Sequence, residues 1–271
     1  MKEQQKFSNF HDLYASGKIP VTAHGTYIGR YPENSLMGVK AAYEAGCDFV
    51  EFDVRVTKDG VPVLQHDSTL DRNSDGTGSF YDYTLAELEK VNFSYYEYFI
   101  DCSGRKRKTP EYEVCPITRL DTVLEEYGKK IFMNIQVYET DPKALEILCG
   151  MFKDFDMYGK GYFTLGRFND GHNVRAIDKN IDLCILERPG ETVRTTMALL
   201  HDFYDFGSFI AQPRWFDITP QYCEESRKLG IRSNVYYANL AEDAQRFVDC
   251  GIDGILTDYP ENIFPVVNKI G

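Results

Sequence analysis

Short apolar runs rich in β-branched residues recur along the 271-residue chain, separated by segments whose apolar residues repeat with helical spacing. The runs predict strands at Ile19–Ala23, Phe49–Val56, Val61–Gln65, Lys130–Val137, Gly161–Leu165, Ile181–Leu186, Ser208–Gln212, Arg232–Tyr237 and Gly254–Thr257. Between them the pattern predicts helices at Ser35–Ala45, Leu120–Tyr127, Pro142–Phe155, Val174–Lys179, Glu191–Asp205, Pro220–Leu229 and Ala241–Cys250. Strand and helix alternating about eight times predict an α/β fold, a closed (β/α)8 TIM barrel. Nine strands are one too many for it. Lys58-Asp59-Gly60 carries the Asp-Gly signal of a tight hairpin. Phe49–Val56 and Val61–Gln65 are therefore expected to pair as a hairpin, with one of the nine strands outside the ring.

Helix starts are legible. Asn34-Ser35 can cap the first helix, and Thr140-Asp141-Pro142 and Thr219-Pro220 place a cap before a proline suited to the first turn. Residues 68–116 break the rhythm with an Asn73–Gly78 turn cluster, a short helix at Leu85–Val91, aromatic residues Phe93, Tyr95, Tyr96, Tyr98 and Phe99, and a basic run Arg105–Lys108. They are expected to form an insertion in a single barrel domain spanning 1–271, with the basic run as a solvated loop or an anion-binding rim.

Composition narrows the function classes. Hydrophobic residues make up 43% and charged residues 27%, ordinary for a globular protein. The formal net charge of −12 repels phosphate backbones and anionic membranes, so no nucleic-acid partner is expected. Seven cysteines, an odd number with no Cys-x-x-Cys, argue against a disulfide framework or zinc knot and for a reducing cytoplasm. Cys149 and Cys184 sit in apolar runs and are expected to be buried. Neither a signal-peptide core nor an integral membrane span is expected from the apolar runs.

The candidate chemistry gathers in about forty residues: His24, Glu33, Asn34, Glu51, Asp53 and His66. In a barrel the working groups sit at the carboxyl ends of the strands. His24 ends the first predicted strand. Glu51 and Asp53 share one face of the second because side chains alternate. His66 ends the next run. Two carboxylates on so apolar a strand need a partner, either a hard cation or an Arg or Lys; the spacing alone leaves both open.

Taken together, these motifs resemble the glycerophosphodiester phosphodiesterase family. The resemblance rests on His24 with Pro32-Glu33-Asn34, on Gly46-Cys-Asp-Phe-Val-Glu51-Phe-Asp53-Val and on Thr57-Lys-Asp-Gly60. It continues through Val63-Leu-Gln-His66-Asp67, Leu70-Asp-Arg72 and Pro116-Ile-Thr-Arg-Leu120 to Gly251-Ile-Asp-Gly-Ile-Leu-Thr-Asp258-Tyr-Pro260. It implies a barrel of the phosphatidylinositol phospholipase C type and release of glycerol 3-phosphate and an alcohol from a small glycerophosphodiester. His24 and His66 would be general acid and base. A divalent Mg2+ or Ca2+ would sit on Glu51, Asp53 and Gln136, with Glu33, Asn34, Arg30, Tyr138 and Tyr236 on the substrate side.

The chain also departs from the family pattern. Gly25 stands where the family has an Arg that contacts phosphate, leaving Arg30, Arg167 and Arg214 as candidate replacements. Gln136 replaces a ligating Glu and keeps an oxygen without the charge. Tyr138 replaces a phosphate-binding Lys, and Tyr236-Tyr237-Ala238-Asn239 replaces a Trp-Thr-x-Asn pattern. Tyr138, Tyr236 and Tyr237 could wall a choline-like cation or fill volume. Two rival readings stay open: a weakened or silent barrel that binds a phosphorylated ligand, and a lyase that forms a cyclic phosphate.

Overall fold

A computed structural model describes residues 7–94, 98–100, 106–108, 114–187 and 196–268. The strands are β1 (Val21–Ala23), β2 (Phe49–Val56), β3 (Pro62–Leu64), β4 (Tyr98–Ile100), β5 (Lys106–Lys108), β6 (Phe132–Val137), β7 (Gly161–Leu165), β8 (Leu183–Ile185), β9 (Ile210–Ala211), β10 (Arg232–Tyr236) and β11 (Gly254–Thr257). The helices are α1 (Phe10–Ala15), α2 (Leu36–Ala45), α3 (Leu85–Leu88), α4 (Leu120–Tyr127), α5 (Pro142–Asp154), α6 (Phe168–Ile177), α7 (Thr196–Phe206), α8 (Pro220–Lys228), α9 (Ala241–Cys250) and α10 (Pro260–Val267). In order, β1, β2, β6, β7, β8, β9, β10 and β11 pair in parallel, and β1 pairs with both β11 and β2, closing the eight-stranded barrel. The extra strand is β3, which returns antiparallel along β2 with Arg55 opposite Val63.

The termini obey the predicted chemistry. Ser35 accepts from Gly38 N–H, Asp141 from Lys143 and Ala144, and Thr219 from Tyr222. Two starts differ from expectation. Helix α6 begins at Phe168 rather than Val174, because its cap position is Arg167, which makes no side-chain capping bond. The predicted helix from Glu191 is α7 from Thr196 onward; residues 191–195 lie outside the described ones.

The strand alternation divides the core. On β2, Val50, Phe52 and Val54 belong to the outer layer beneath the helices. Phe49 belongs to a separate inner cluster with Phe132, Tyr162, Cys184 and Ile210, closed off by Phe10, Leu13 and Tyr14 of α1. Glu51, Asp53 and Arg55, alternating in phase with Phe49, share the face that Phe49 presents to the barrel interior.

Residues 68–116 leave the sheet after β3. Their described parts hold a 3-10 turn at Phe80–Asp82, α3 and the β4–β5 hairpin, with a third apolar cluster of Val63, Leu70, Phe80, Leu85, Leu88, Phe93 and Ile117. Tyr95, Tyr96 and Arg105 lie outside the described residues. Among the described residues no helix is long and apolar enough to cross a membrane.

Candidate active site

His24 stands where β1 runs into a 3-10 turn, at the carboxyl end of the barrel. Its Nδ1 is 2.6 Å from Asp258 Oδ1, just past the end of β11, and its Nε2 is 3.9 Å from Glu51 Oε2. Asn239 holds Asp258 in turn: its Nδ2 donates to Asp258 Oδ2 at 2.7 Å and its Oδ1 accepts from Asp258 N–H at 2.9 Å. Burial alone would lower the His24 pKa. The Asp258 hydrogen bond and the charges of Glu51, Asp258 and Asp53 outweigh burial and raise it to about 9.

His66 approaches from the other bank, two residues past β3. Its Nδ1 is 2.6 Å from Asp67 Oδ1. Arg72 donates to Asp67 through Nε at 2.6 Å and forks onto both oxygens of Glu33, to which Asn73 also donates. The Asp67 hydrogen bond raises the His66 pKa against the opposing effect of burial. For Asp67 itself burial pushes upward, but hydrogen bonds from His66 and Arg72 hold its carboxyl well below the usual range. Each histidine is thus oriented by a carboxylate through Nδ1, the relation that fixes tautomer and ring in acid/base catalysis.

Glu51 and Asp53 are both buried, and electrostatically they are coupled to both imidazoles. Gly25 N–H donates to Glu51 Oε2 at 2.8 Å. Asn34 and Asp53 are joined twice, Nδ2 to Oδ2 and Oδ1 to the Asp53 N–H, each at 2.9 Å. Burial and the adjacent Asp53 charge push the Glu51 carboxyl well up, although His24, the Gly25 N–H and His66 pull the other way. Gln136 sits in register beside Asp53 and donates through Nε2 to the Tyr138 hydroxyl at 2.5 Å.

Among the described residues no cluster of three or more His, Cys, Asp or Glu is arranged as a metal centre. The donor set still suits a hard cation. Two crowded, buried carboxylates favour one electrostatically, and the Gln136 amide oxygen is a neutral ligand of the kind such ions accept.

The substrate-side candidates divide. Asn34 clamps Asp53, and Glu33 anchors Arg72. Tyr138 packs its ring edge against His66 at 5.3 Å. Tyr236 packs on Tyr237 at 4.4 Å, and Tyr237 meets the His24 ring at 4.9 Å. Arg30 instead donates to Glu261 at 2.7 Å, and Arg214 pairs with Asp217 at 3.2 Å; these contacts tie neither cation to a histidine. Arg167 is exposed at the start of α6.

Sequence reasoning passed over three contributors. Asp258 was visible as a motif residue but had no assigned task. Asp67 reads equally well as a turn cap. Arg55 was overlooked although it continues the Glu51–Asp53 alternation. It is buried, donates to the His66 carbonyl through Nε at 3.0 Å and Nη2 at 2.7 Å, and lies 4.6 Å from the Tyr138 ring centroid.

Known proteins share this plan. The chain is 29% identical to a glycerophosphodiester phosphodiesterase of Caldanaerobacter subterraneus subsp. tengcongensis, covering 94% of this chain and all of the relative. It is 26% identical to a glycerophosphodiester phosphodiesterase of Bacillus subtilis, over 95% and 89% of the two chains. Among solved structures, an Oleispira antarctica phosphodiesterase in complex with the product sn-glycerol-3-phosphate superposes with a TM-score of 0.78 at 21% identity. That superposition covers 94% of this chain and 99% of the other, and shows a common fold. The model of the Glycerophosphoryl diester phosphodiesterase family matches residues 24–262. With that match beginning at His24 and taking in both histidines, both buried carboxylates and Asp258, the chain belongs to the glycerophosphoryl diester phosphodiesterase family.

Proposed function

We propose that the protein is a phosphoric diester hydrolase that cleaves a small glycerophosphodiester to glycerol 3-phosphate and an alcohol. The observation that carries this reading is the pair of histidines, each oriented by a carboxylate through Nδ1, flanking the Glu51–Asp53 pair. Water attacks phosphorus and the bond to the alcohol oxygen breaks. One imidazole takes the proton from the attacking water and the other gives a proton to the departing alkoxide. Asp258 and Asp67 keep each ring in the tautomer that presents Nε2 and stabilise the imidazolium when it forms. Mg2+ or Ca2+, bound by Glu51, Asp53 and the Gln136 oxygen, would supply charge neutralisation at the phosphate and Lewis acidity.

The test is release of glycerol 3-phosphate from glycerophosphocholine, glycerophosphoethanolamine and glycerophosphoglycerol, each with Mg2+, Ca2+ or EDTA. His24→Ala is the control. Metal-dependent release that disappears in His24→Ala supports the reading. A cyclic phosphate seen by phosphorus NMR would assign the lyase reaction instead. No turnover above the control on any substrate or metal would remove the hydrolase reading and leave a ligand-binding barrel.

A further inference from the structure

Arg55 occupies an unusual place. It follows Glu51 and Asp53 on the interior face of β2, where a buried guanidinium is costly unless its donors are used. Two of its N–H groups converge on the His66 carbonyl at 3.0 and 2.7 Å, and Nη1 donates to the Tyr81 hydroxyl. Its Cζ lies over the Tyr138 ring, 4.6 Å from the centroid. The same ring meets the His66 imidazole edge-on at 5.3 Å. The Tyr138 hydroxyl accepts from Gln136 Nε2, and Gln136 stands in register beside Asp53.

We propose that Arg55 and Tyr138 are positioning residues that lock His66 to the Glu51–Asp53 strand, Arg55 through the His66 main chain and Tyr138 through the His66 ring and Gln136, the register neighbour of Asp53. The proposal rests on the reading of His66 as an acid/base group. Its physical need is clear from the topology. His24 grows directly from a barrel strand, whereas His66 lies beyond β3, a three-residue strand paired with only one stave. The main chain is tied to β2 at the preceding residue, where Gln65 N–H donates to the Asp53 carbonyl at 3.0 Å, but the ring's own hydrogen bond is to Asp67. A guanidinium over an aromatic face, with its N–H groups fixed on a carbonyl, supplies a direction that a lysine would not. Tyr138, which stands where the resemblance places a phosphate-binding Lys, thereby faces the protein's own His66, Arg55 and Gln136.

The experiment compares Arg55→Lys, Arg55→Met, Tyr138→Phe and Tyr138→Leu with the parent chain, after thermal melts have identified the folded variants. The first readout needs no substrate: the nitrogen-15 imidazole resonances of His66 and His24. The second is kcat and KM on glycerophosphocholine. The expected result is displaced or broadened His66 resonances with His24 unchanged in Arg55→Met and Tyr138→Leu. Their kcat should fall on the order of 100-fold with KM within about twofold, the cost of misplacing a catalytic group. Tyr138→Phe, which keeps the ring but not the hydroxyl, should fall between Tyr138→Leu and the parent in both His66 displacement and kcat. Arg55→Lys should not recover the parent spectrum. Unmoved His66 resonances in folded Arg55→Met and Tyr138→Leu would overturn the proposal. So would a rise in KM that accounts for the whole loss, which would place Arg55 on the substrate. Because the imidazole spectrum is read without turnover, an inactive parent protein would remove the hydrolase reading while leaving this clasp testable.

Discussion

Asn34 and Asp53 hold each other twice: the amide donates to the carboxylate, and the Asp53 backbone N–H donates back to the amide oxygen, both at 2.9 Å. Asn34 does so with a left-handed backbone, φ 56°, that asparagine and glycine tolerate better than alanine. Removing the side chain strands a buried carboxylate and a backbone donor, at about 1–3 kcal/mol. Asn34→Gly should show that loss alone. Asn34→Ala should be less stable again by on the order of 1 kcal/mol from backbone strain. Urea unfolding of the two variants measures the difference, and equal stability would show the left-handed backbone to be irrelevant.

Asp258 lies 2.6 Å from His24 Nδ1, and the proposed mechanism gives it the task of orienting that ring. Asp258→Asn keeps the shape but replaces an acceptor-only group with an amide. It also places that amide against the Asn239 donor that now serves Asp258. Turnover should fall by about 10²- to 10⁴-fold with little change in KM. An activity within a few-fold of the parent would show that His24 needs no orienting carboxylate.

Stability at acid pH should report the Asp67–Arg72–Glu33 cluster. Asp67 has a folded pKa depressed below its unfolded value of about 3.9. Its contribution is therefore fully present above about pH 5 and is lost as pH falls towards the folded pKa. Asp67→Asn should be less stable than the parent at pH 7, and the gap should narrow steadily below pH 4. Denaturant melts at pH 7, 4 and 2.5 follow it; a gap that widens on acidification would contradict the assigned sign.

Cation binding at Glu51 and Asp53 should appear as a stability shift. A ligand that binds only the folded state at about 100 times its Kd adds about 2.7 kcal/mol. EDTA should therefore lower the melting temperature and excess Mg2+ or Ca2+ should restore it. Glu51→Gln should lose most of the response. A full response in Glu51→Gln would place the cation elsewhere.

Helix α1 should matter to stability and hardly to catalysis. Phe10 is fully buried, with ring centroids 5.7–6.2 Å from Tyr162, Phe49 and Phe132 at the end of the barrel away from the histidines. Phe10→Ala should cost about 3–5 kcal/mol, the range for emptying a buried aromatic site. Its kcat below the melting transition should stay within about twofold of the parent. A comparable loss of kcat would show that the inner cluster communicates with the mouth.

The barrel was legible because each stave is a short β-branched run and the helices carry readable caps. The extra strand could be removed from the count by Asp59-Gly60 alone. Helix α1 was not legible: it is six residues long, so Phe10, Leu13 and Tyr14 give too few turns to establish a period, and what buries them lies far along the chain. The same limit applies to the site. His24, Glu51, Asp53 and His66 are close in sequence and could be grouped by spacing. Asp258 is 234 residues from His24, and only closure of β1 against β11 brings them together. Arg55 was adjacent to the motif, but whether its charge serves solvent, substrate or a backbone carbonyl is decided by the path of the chain after β3.

That path divides the cleft between two kinds of architecture. One imidazole is carried by the closed ring, where any displacement must be shared by neighbouring staves on both sides. The other is carried by a hairpin beside the ring, continuous with the 68–116 segment. That segment also lends the site Arg72, Asn73 and Tyr81, which hold Asp67, Glu33 and Arg55. A disturbance outside the ring therefore reaches His66 through these three side chains, whereas one that reaches His24 must deform the staves themselves.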